Sequence, residues 1–307
     1  MFAHDLYHSQ INILGMLSTD IEKTERSLRL VGVVAPTPRR AIQQIFNLQL
    51  SIFNSGLSGL GDRCVIYKAK VGQASYGQAI GILLLDASNP FIPGDVANAT
   101  TYDFPVRFQK VKGFSVERAI GKDPTIFKSL LTAARELESQ GVRAITGDCG
   151  FMGLHQRELA GQLTVPIFLS SLLQIPFILS IMAPDAKLGI ITADSRSLDN
   201  ILLEAMGIPL SDQLKIIGLQ DEAYFKKGIL DDVGILDTEK LENEVVKAAK
   251  QLLVNDDKVK AVLLECSCLP PYGAAVQKAV GVPVFDYITM INFVFSAVVK
   301  QKYEGYM

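Results

Sequence analysis

Cysteines are the residues of this sequence best suited to chemistry without a cofactor, and two of the four occupy matching positions. Cys149 follows the segment RAITGD and Cys266 follows KAVLLE, so a basic residue, an alanine, a β-branched residue and an acid precede both thiols in the same order. Sixteen residues after each of these cysteines the chain reads VPIF or VPVF. This register indicates an internal duplication that carries the cysteine with it.

Two thiols that face one cleft are suited to moving a proton on and off carbon. A thiolate removes a proton from one face of the carbon and a thiol delivers one to the other face, which inverts the centre by two-base catalysis. A nucleophilic cysteine would need a base beside it, usually histidine. The duplicated part of the chain holds one histidine, His155, which has no counterpart after Cys266. The pattern therefore favours Cys149 and Cys266 as an acid–base pair, and the repeat register favours Cys266 over its neighbour Cys268.

The elements that must position these cysteines alternate between strand and helix patterns from about residue 79 onward. Continuous apolar strands separated by amphipathic helices are typical of parallel sheets covered by helices. One such helix is predicted over residues 123–141, with Asp123 as its N-cap, Pro124 at its first position and Gly141 at its end. The sequence therefore predicts an α/β fold of two similar lobes, each a parallel sheet flanked by helices, related by a pseudo-twofold axis with the site in the cleft between them.

The duplication also sets the expected domain boundaries. Residues 76–184 together with 287–307 are predicted to form the first lobe, and residues 185–286 the second. Residues 1–75 do not join the repeat pattern and are predicted to be an N-terminal extension that is disordered or non-native. Both cysteines fall at the carboxyl ends of strands, where open α/β sheets bind their ligands. A helix that starts there would lower the pKa of each thiol.

Composition argues against several classes of function. A net charge of −2 lacks the basic surplus of a nucleic-acid-binding protein. The cysteines and the three histidines have neither the spacing of a metal site nor that of a disulfide framework. Residues 163–184 carry no charge and are long enough to cross a bilayer, but internal prolines, a glutamine and three serines favour a buried strand and helix. Without a signal-peptide pattern, we expect a cytoplasmic protein that binds neither nucleic acid nor membrane.

The cysteine motifs resemble those of the aspartate/glutamate racemase superfamily, which includes hydantoin racemases. The segment LLECSCLPP resembles the motif Leu-Gly-Cys-Thr-(Glu or His)-x-Pro, so that Cys266 takes the catalytic cysteine, Ser267 the threonine and Pro270 the proline. The segment GDCGFM resembles the first motif, in which Asn-Thr follows the cysteine. The resemblance covers about residues 79–300. It implies a two-lobed enzyme without cofactor or metal, in which Cys149 and Cys266 act on a small carboxylate-bearing molecule.

Departures from these motifs leave the substrate open. Gly150-Phe151 replaces Asn-Thr, whose side chains bind the substrate carboxylate in many members, and Glu265 stands where glycine is usual. Backbone amides at positions 150–151 and 267–268 are alternative carboxylate ligands. The remaining candidate ligands are residues of the second motif and hydroxyls that follow other strands: Ser267, Cys268, Ser170, Ser171 and Thr192. The Pro/Gly-rich loop 90–109 is either structural or a pocket wall, and as a wall it would bring Asn98 or Thr101 to the site.

The sequence leaves one leading function and two kinds of alternative. The leading one is an amino-acid racemase or epimerase acting on aspartate, glutamate or a related compound. A hydantoin racemase or a maleate-type cis–trans isomerase is the alternative within the superfamily, whereas a decarboxylase, which needs one of the two cysteines, is disfavoured. A non-catalytic two-lobed binding protein is the alternative from another class. The sequence leaves the handedness of the substrate and the oligomeric state open, with a homo-oligomer among the possibilities.

Overall fold

The computed structural model describes residues 67–254 and 256–307. Residues Ala69–Met307 form one compact unit, which contains both predicted lobes. The predicted N-terminal extension, residues 1–75, lies mostly outside the described residues. Its described part, residues 67–75, contains neither helix nor strand.

A four-stranded parallel sheet forms the centre of the first lobe. Its strands are β1 (Ile80–Leu84), β2 (Val106–Lys110), β3 (Ala144–Gly147) and β4 (Ile167–Phe168). Their order across the sheet is β2-β1-β3-β4, and every neighbouring pair is parallel. The central strands β1 and β3 are covered on both faces, which is why each reads as a continuous run of apolar and small residues.

The second lobe repeats this sheet. Its strands are β5 (Lys187–Thr192), β6 (Leu214–Gly218), β7 (Val259–Leu264) and β8 (Val284–Phe285), in the order β6-β5-β7-β8. All pairs are again parallel, so the two lobes share one strand order. The segments VPIF and VPVF supply the corresponding edge strands β4 and β8. The predicted fold class, two lobes each built on a parallel sheet flanked by helices, is confirmed.

Helices connect and cover the strands. In the part of the chain that the structure describes, the α-helices are α1 (Val116–Ile120), α2 (Phe127–Ser139), α3 (Gln156–Ala160), α4 (Ile175–Ser180), α5 (Asn200–Met206), α6 (Ala223–Phe225), α7 (Thr238–Leu253), α8 (Gly273–Val280) and α9 (Tyr287–Val298). Short 3-10 turns precede several of them, and a π-helical turn over Lys226–Leu230 follows α6.

Helix α2 starts later than the sequence predicts. Asp123 does accept a hydrogen bond as an N-cap, from the Thr125 N–H at 2.8 Å, but the turn that it caps is the 3-10 turn Pro124–Ile126. The same carboxylate also binds the Thr125 hydroxyl and the Arg118 guanidinium. These bonds hold the first turn in the tighter 3-10 form, so the α-helix begins only after it. Gly141 then reverses the chain with φ +85°.

The two lobes exchange helices at their shared boundary. Helix α4 follows β4 in the first lobe, yet its apolar residues Ile175 and Ile178 belong to the core of the second lobe. Helix α9 follows β8 in the second lobe, yet Tyr287 and Ile291 pack against strands β1 and β3 of the first. The prediction assigned residues 287–307 to the first lobe, where α9 packs, but it also assigned the segment up to residue 184 there. The apolar face of α4 instead covers the second sheet.

The uncharged segment 163–184 folds as strand β4, a 3-10 turn and the six-residue helix α4. Among the described residues, no helix is both long and apolar enough to cross a membrane.

Candidate active site

Both predicted catalytic cysteines line one cavity. Cys149 follows β3 and Cys266 follows β7, so the equivalent central strand of each lobe delivers its thiol to the same place. The cavity measures about 40 Å³, which favours a small ligand. The third thiol at its wall is Cys268. The predicted residues Gly150, Phe151 and Ser267 also line it.

The remaining walls of the cavity combine apolar side chains with two carboxyl groups. The apolar residues come from several loops and helices, and they include Leu85, Phe91, Val116, Ile120, Ile229 and Leu230. The carboxyl groups belong to Asp148 and Glu265, the acids that directly precede the two cysteines. No lysine, arginine or histidine is among the residues that line the cavity. A ligand in this cavity therefore meets thiols, carboxyl groups, hydrocarbon and the polar side chains of Asn89 and Ser267, and no cationic side chain.

Asp148 is tied to the backbone of the first lobe. Both of its carboxylate oxygens accept the Leu85 N–H, at 3.0 and 3.1 Å. Burial raises its pKa to about 8, and the charge of Asp95 acts in the same direction. Its own backbone carbonyl accepts a hydrogen bond from the Ser267 hydroxyl, so the two cysteine loops are joined directly.

Glu265 is fully buried and only half of its carboxyl group is satisfied. One oxygen, Oε2, accepts hydrogen bonds from the Thr192 hydroxyl at 2.8 Å and the Ala193 N–H at 3.4 Å. The other oxygen, Oε1, has no hydrogen-bond partner. Burial raises the pKa of Glu265 to about 7, although the bonds from Thr192 and Ala193 oppose this rise.

Gly150 leaves the space that the Glu265 carboxyl fills. A Cβ atom at position 150 would lie 1.6 Å from Glu265 Oε1 and 2.6 Å from its Cδ, so no side chain fits there while Glu265 keeps its place. The two departures from the racemase motifs are therefore complementary. The position beside Cys149 is occupied by a side chain from the second lobe, and that side chain is an acid.

The thiol of Cys149 keeps its proton more firmly than the sequence predicts. Burial raises the pKa of Cys149 well above its usual value, and the charges of Glu265, Cys266 and Asp148 add to this effect. The expectation of a lowered pKa is wrong for Cys149: the Phe151 N–H at the start of the following 3-10 turn does lower the pKa, but burial and the neighbouring acids raise it by more. The pKa of Cys268 is also raised, first by a hydrogen bond with Cys266 and then by burial.

The predicted hydroxyl ligands hold the site together from outside the cavity. Ser170 caps the 3-10 turn after β4 by accepting from the Leu172 N–H. Ser171 donates to the backbone carbonyl of Leu264, and Thr192 donates to Glu265. None of these three is part of the cavity wall. Their hydroxyls are used by the protein, so the structure gives them a supporting position instead of a ligand position.

The loop after β1 contributes a wall, but through other residues than the prediction names. Phe91 and Asn89 reach the cavity, whereas Asn98 and Thr101 do not. Asn98 donates from its side chain to the Phe91 carbonyl at 2.8 Å, and Thr101 donates to the Asp95 carbonyl at 2.8 Å. Asn98 and Thr101 therefore fix the shape of the loop that presents Phe91.

His155 lies apart from the thiols. Its ring is buried and contacts the Phe127 ring, with 5.7 Å between the centroids. Burial lowers its pKa. His155 is not among the residues that line the cavity.

Glu265→Gln is expected to weaken the pH dependence of stability. The folded-state pKa of Glu265, about 7, lies above the ordinary value of 4.5, so the folded protein holds this proton more tightly than the unfolded chain does. The resulting stabilisation is complete below about pH 4.5 and is lost as the pH rises to about 7, by up to about 1.4 kcal/mol per pH unit.

Urea unfolding between pH 4.5 and pH 8 measures this effect. The free energy of unfolding of the wild type should fall more steeply with pH than that of Glu265→Gln. The exposed Glu304→Gln is the matched control and should keep the wild-type slope. Equal slopes for Glu265→Gln and the wild type would contradict the prediction.

Comparison with curated proteins identifies the family. A dimethylsulfoniopropionate lyase of Durusdinium sp. clade D is 31% identical over 223 residues, which cover 70% of this chain and 73% of that protein. The chain belongs to the dimethylsulfoniopropionate lyase family. Dimethylsulfoniopropionate lyase 5 of Emiliania huxleyi (strain CCMP1516) is 33% identical over 229 residues, but this lyase-family chain spans only 45% of its length. No protein-family model matches the chain.

Solved structures agree with the fold of this lyase-family chain. Allantoin racemase from Pseudomonas fluorescens superposes with a TM-score of 0.52 and 16% identity, covering 72% of this chain and 91% of that one. Allantoin racemase from Klebsiella pneumoniae gives a TM-score of 0.50 and 17% identity, covering 71% and 88%. The chain therefore shares the fold of these two allantoin racemases, which agrees with the two-lobed fold that the cysteine motifs imply. An elimination that breaks a carbon–sulfur bond was not among the functions predicted from the sequence.

Proposed function

We propose that this protein is a lyase that eliminates dimethyl sulfide from dimethylsulfoniopropionate. The observation that carries the proposal is the pair Cys149 and Cys266 in one small cavity without cationic side chains, in a chain that belongs to the lyase family. The substrate is a small carboxylate, the class expected from the cysteine motifs. Its other end is a sulfonium cation, which no lysine, arginine or histidine at the cavity wall would repel.

The proposed reaction needs only a base and a good leaving group. A thiolate takes a proton from the carbon next to the carboxylate, and the electron pair of that C–H bond forms a double bond to the next carbon. The bond between that carbon and sulfur breaks with its electron pair on sulfur. Dimethyl sulfide leaves as a neutral molecule, acrylate remains, and the thiol carries the proton. Atoms and charge balance without an oxidant, a reductant or a second substrate.

Cys266 is the better candidate for this base. The carboxyl groups of Glu265 and Asp148 oppose a negative charge on Cys149. Cys266 is the thiol of the second motif that the repeat register aligns with Cys149, and it lines the same cavity. A leaving dimethyl sulfide needs no proton, so the elimination assigns no acid–base step to the second thiol. Cys149 then borders the substrate, and Gly150, Phe151, Ser267 and Cys268 are the candidate contacts for its carboxylate.

The wild-type protein is expected to release dimethyl sulfide and acrylate in equal amounts. Gas chromatography of the headspace measures the sulfide, and proton NMR of the same sample measures acrylate. The propionate with a neutral thioether in place of the sulfonium is the matched control and should not react, because its leaving group would be a thiolate. Binding of dimethylsulfoniopropionate without either product would contradict the proposal.

Amino-acid racemisation is the second candidate, and the presence of a thiol from each lobe in the cavity favours it. A racemase incubated with aspartate or glutamate in D2O places deuterium on the α-carbon. Such exchange without release of dimethyl sulfide would establish this function in place of the lyase.

A further inference from the structure

The cavity contains a buried negative centre that the protein leaves unpaired. Glu265 has no exposed surface, and its Oε1 lacks a hydrogen-bond partner while its Oε2 has two. A buried acceptor without a partner is costly, and the cost is larger for a carboxylate than for a neutral group. A cation placed in the cavity would compensate this carboxylate.

The other residues of the cavity wall indicate what the compensating group is. The walls that face the cavity are mainly hydrocarbon, from residues such as Val116, Ile120, Ile229 and Leu230, with the aromatic ring of Phe91 among them. A compact ammonium group would lose much of its hydration against these walls. A cation that carries alkyl groups and no N–H loses little hydration, packs its alkyl groups on such walls and is attracted by an aromatic face.

Asp148, the other carboxyl group of the cavity, is less available for this role. Both of its oxygens accept the Leu85 N–H, so its charge is already partly compensated by the backbone. Glu265 has the free oxygen. Gly150 gives that oxygen its space, since a Cβ atom at that position would overlap it.

We infer that Glu265 binds the sulfonium centre of the substrate and thereby selects alkylated cationic carboxylates over neutral ones. The inference rests on the proposed function for the identity of that cation. It makes Glu265 a specificity-determining residue and assigns Gly150 the role of making room for it.

This role predicts a particular split between binding and turnover. The positive charge of the sulfonium is lost as dimethyl sulfide departs, so its attraction to Glu265 is stronger in the bound substrate than in the transition state. Interactions of that kind lower KM without raising kcat. Glu265→Gln should therefore raise KM for dimethylsulfoniopropionate by about tenfold or more, with kcat unchanged or higher.

A pair of unreactive ligands that differ in charge alone tests the inference without relying on turnover. In 3-(trimethylammonio)propionate the cation replaces the central carbon of the tert-butyl group of 4,4-dimethylpentanoate, so the two molecules have the same shape. Titration calorimetry should show that the wild type binds the cationic ligand at least about tenfold more tightly than the neutral one. In Glu265→Gln this preference should disappear.

Two further variants separate charge from structure. Glu265→Asp retains the carboxylate and should keep a measurable preference for the cationic ligand. Asp286→Asn removes a partly buried carboxyl group that caps α9 outside the cavity, and it should keep the full wild-type preference. Gln at position 265 can still accept from Thr192 and Ala193, so circular dichroism should show a folded variant.

The outcomes distinguish this inference from the proposed function. A preference for the cation that depends on Glu265 supports the inference, even where the wild type releases no dimethyl sulfide and the lyase proposal fails. Release of dimethyl sulfide with an equal cation preference in the wild type and Glu265→Gln overturns the inference and leaves the lyase standing. A Glu265→Gln enzyme with lower kcat and unchanged KM also overturns it, since that pattern belongs to a residue that acts in the transition state.

Discussion

Cys266→Ser is expected to lower kcat for dimethyl sulfide release by about 10³-fold, the usual loss when a general base is removed. Serine has nearly the size of cysteine, so the fold and the cavity should persist. Its hydroxyl is too weak an acid to supply an oxyanion as base near neutral pH. The release of dimethyl sulfide, followed by gas chromatography at saturating substrate, measures the effect.

Cys149→Ser should lower the same rate by less than about tenfold, because an elimination uses one base and its leaving group needs no acid. This asymmetry separates the lyase from a two-base racemase, in which each thiol serves one direction of the reaction and both variants lose activity. Cys268→Ser tests the assignment within the second motif. Activity retained by Cys266→Ser and lost by Cys268→Ser would show that the base is Cys268.

The fold is predictable from the sequence because the duplicated segments are buried strands, and packing restricts the residue types that such strands can hold. Strands β3 and β7 are central, buried strands, and each must end where a loop can enter the cleft. The repeat therefore preserves both the apolar residues and the cysteine that follows them. The exchange of α4 is not predictable in this way. Its residues Ile175 and Ile178 are equally suited to either lobe's core, and only the three-dimensional path of the chain decides between them.

The candidate site is predicted in part, and the limit is physical. Cys149 and Cys266 are found because their register repeats, and they line one cavity. The hydroxyls of Ser170, Ser171 and Thr192 follow strands in the expected places, but a hydroxyl satisfies a nearby backbone or carboxyl group as readily as it binds a ligand.

Glu265 is missed as a functional residue for a different reason. Sequence alternation suggests that neighbours point in opposite directions, and by that rule Glu265 and Cys266 cannot share a site. The rule applies inside a strand, whereas β7 ends at Leu264 and the chain turns immediately afterwards. The available signal was the pairing of two anomalies, a glycine at position 150 and an acid at position 265. Each is unusual for the racemase motifs. Together they remove the side chain at position 150 and fill its space with the carboxyl group of Glu265.

Gly150→Ala is expected to lower the free energy of unfolding by about 1–3 kcal/mol, the usual cost of overpacking a filled core. The added Cβ would lie 1.6 Å from Glu265 Oε1, and 3.1 Å from the Glu265 backbone carbonyl, so movement of the side chain relieves most but not all of the overlap. Displacement of that carboxylate should also raise KM for dimethylsulfoniopropionate. Urea unfolding and steady-state kinetics measure the two effects.

The matched control for this variant is Gly161→Ala at the end of α3, where the nearest atom to an added Cβ lies at 3.6 Å and φ is −75°. It should change the free energy of unfolding by less than about 0.5 kcal/mol.

The double variant Gly150→Ala with Glu265→Ala removes the overlapping carboxyl group. Its free energy of unfolding should therefore exceed the value expected from adding the two single effects by about 1 kcal/mol or more. This coupling decides what the glycine does. If alanine at position 150 destabilised the protein equally with and without the Glu265 side chain, the glycine would be needed for the backbone alone. Coupling in stability together with a raised KM in Gly150→Ala would instead show that one steric exchange between the lobes both completes the core and places the carboxylate in the cavity.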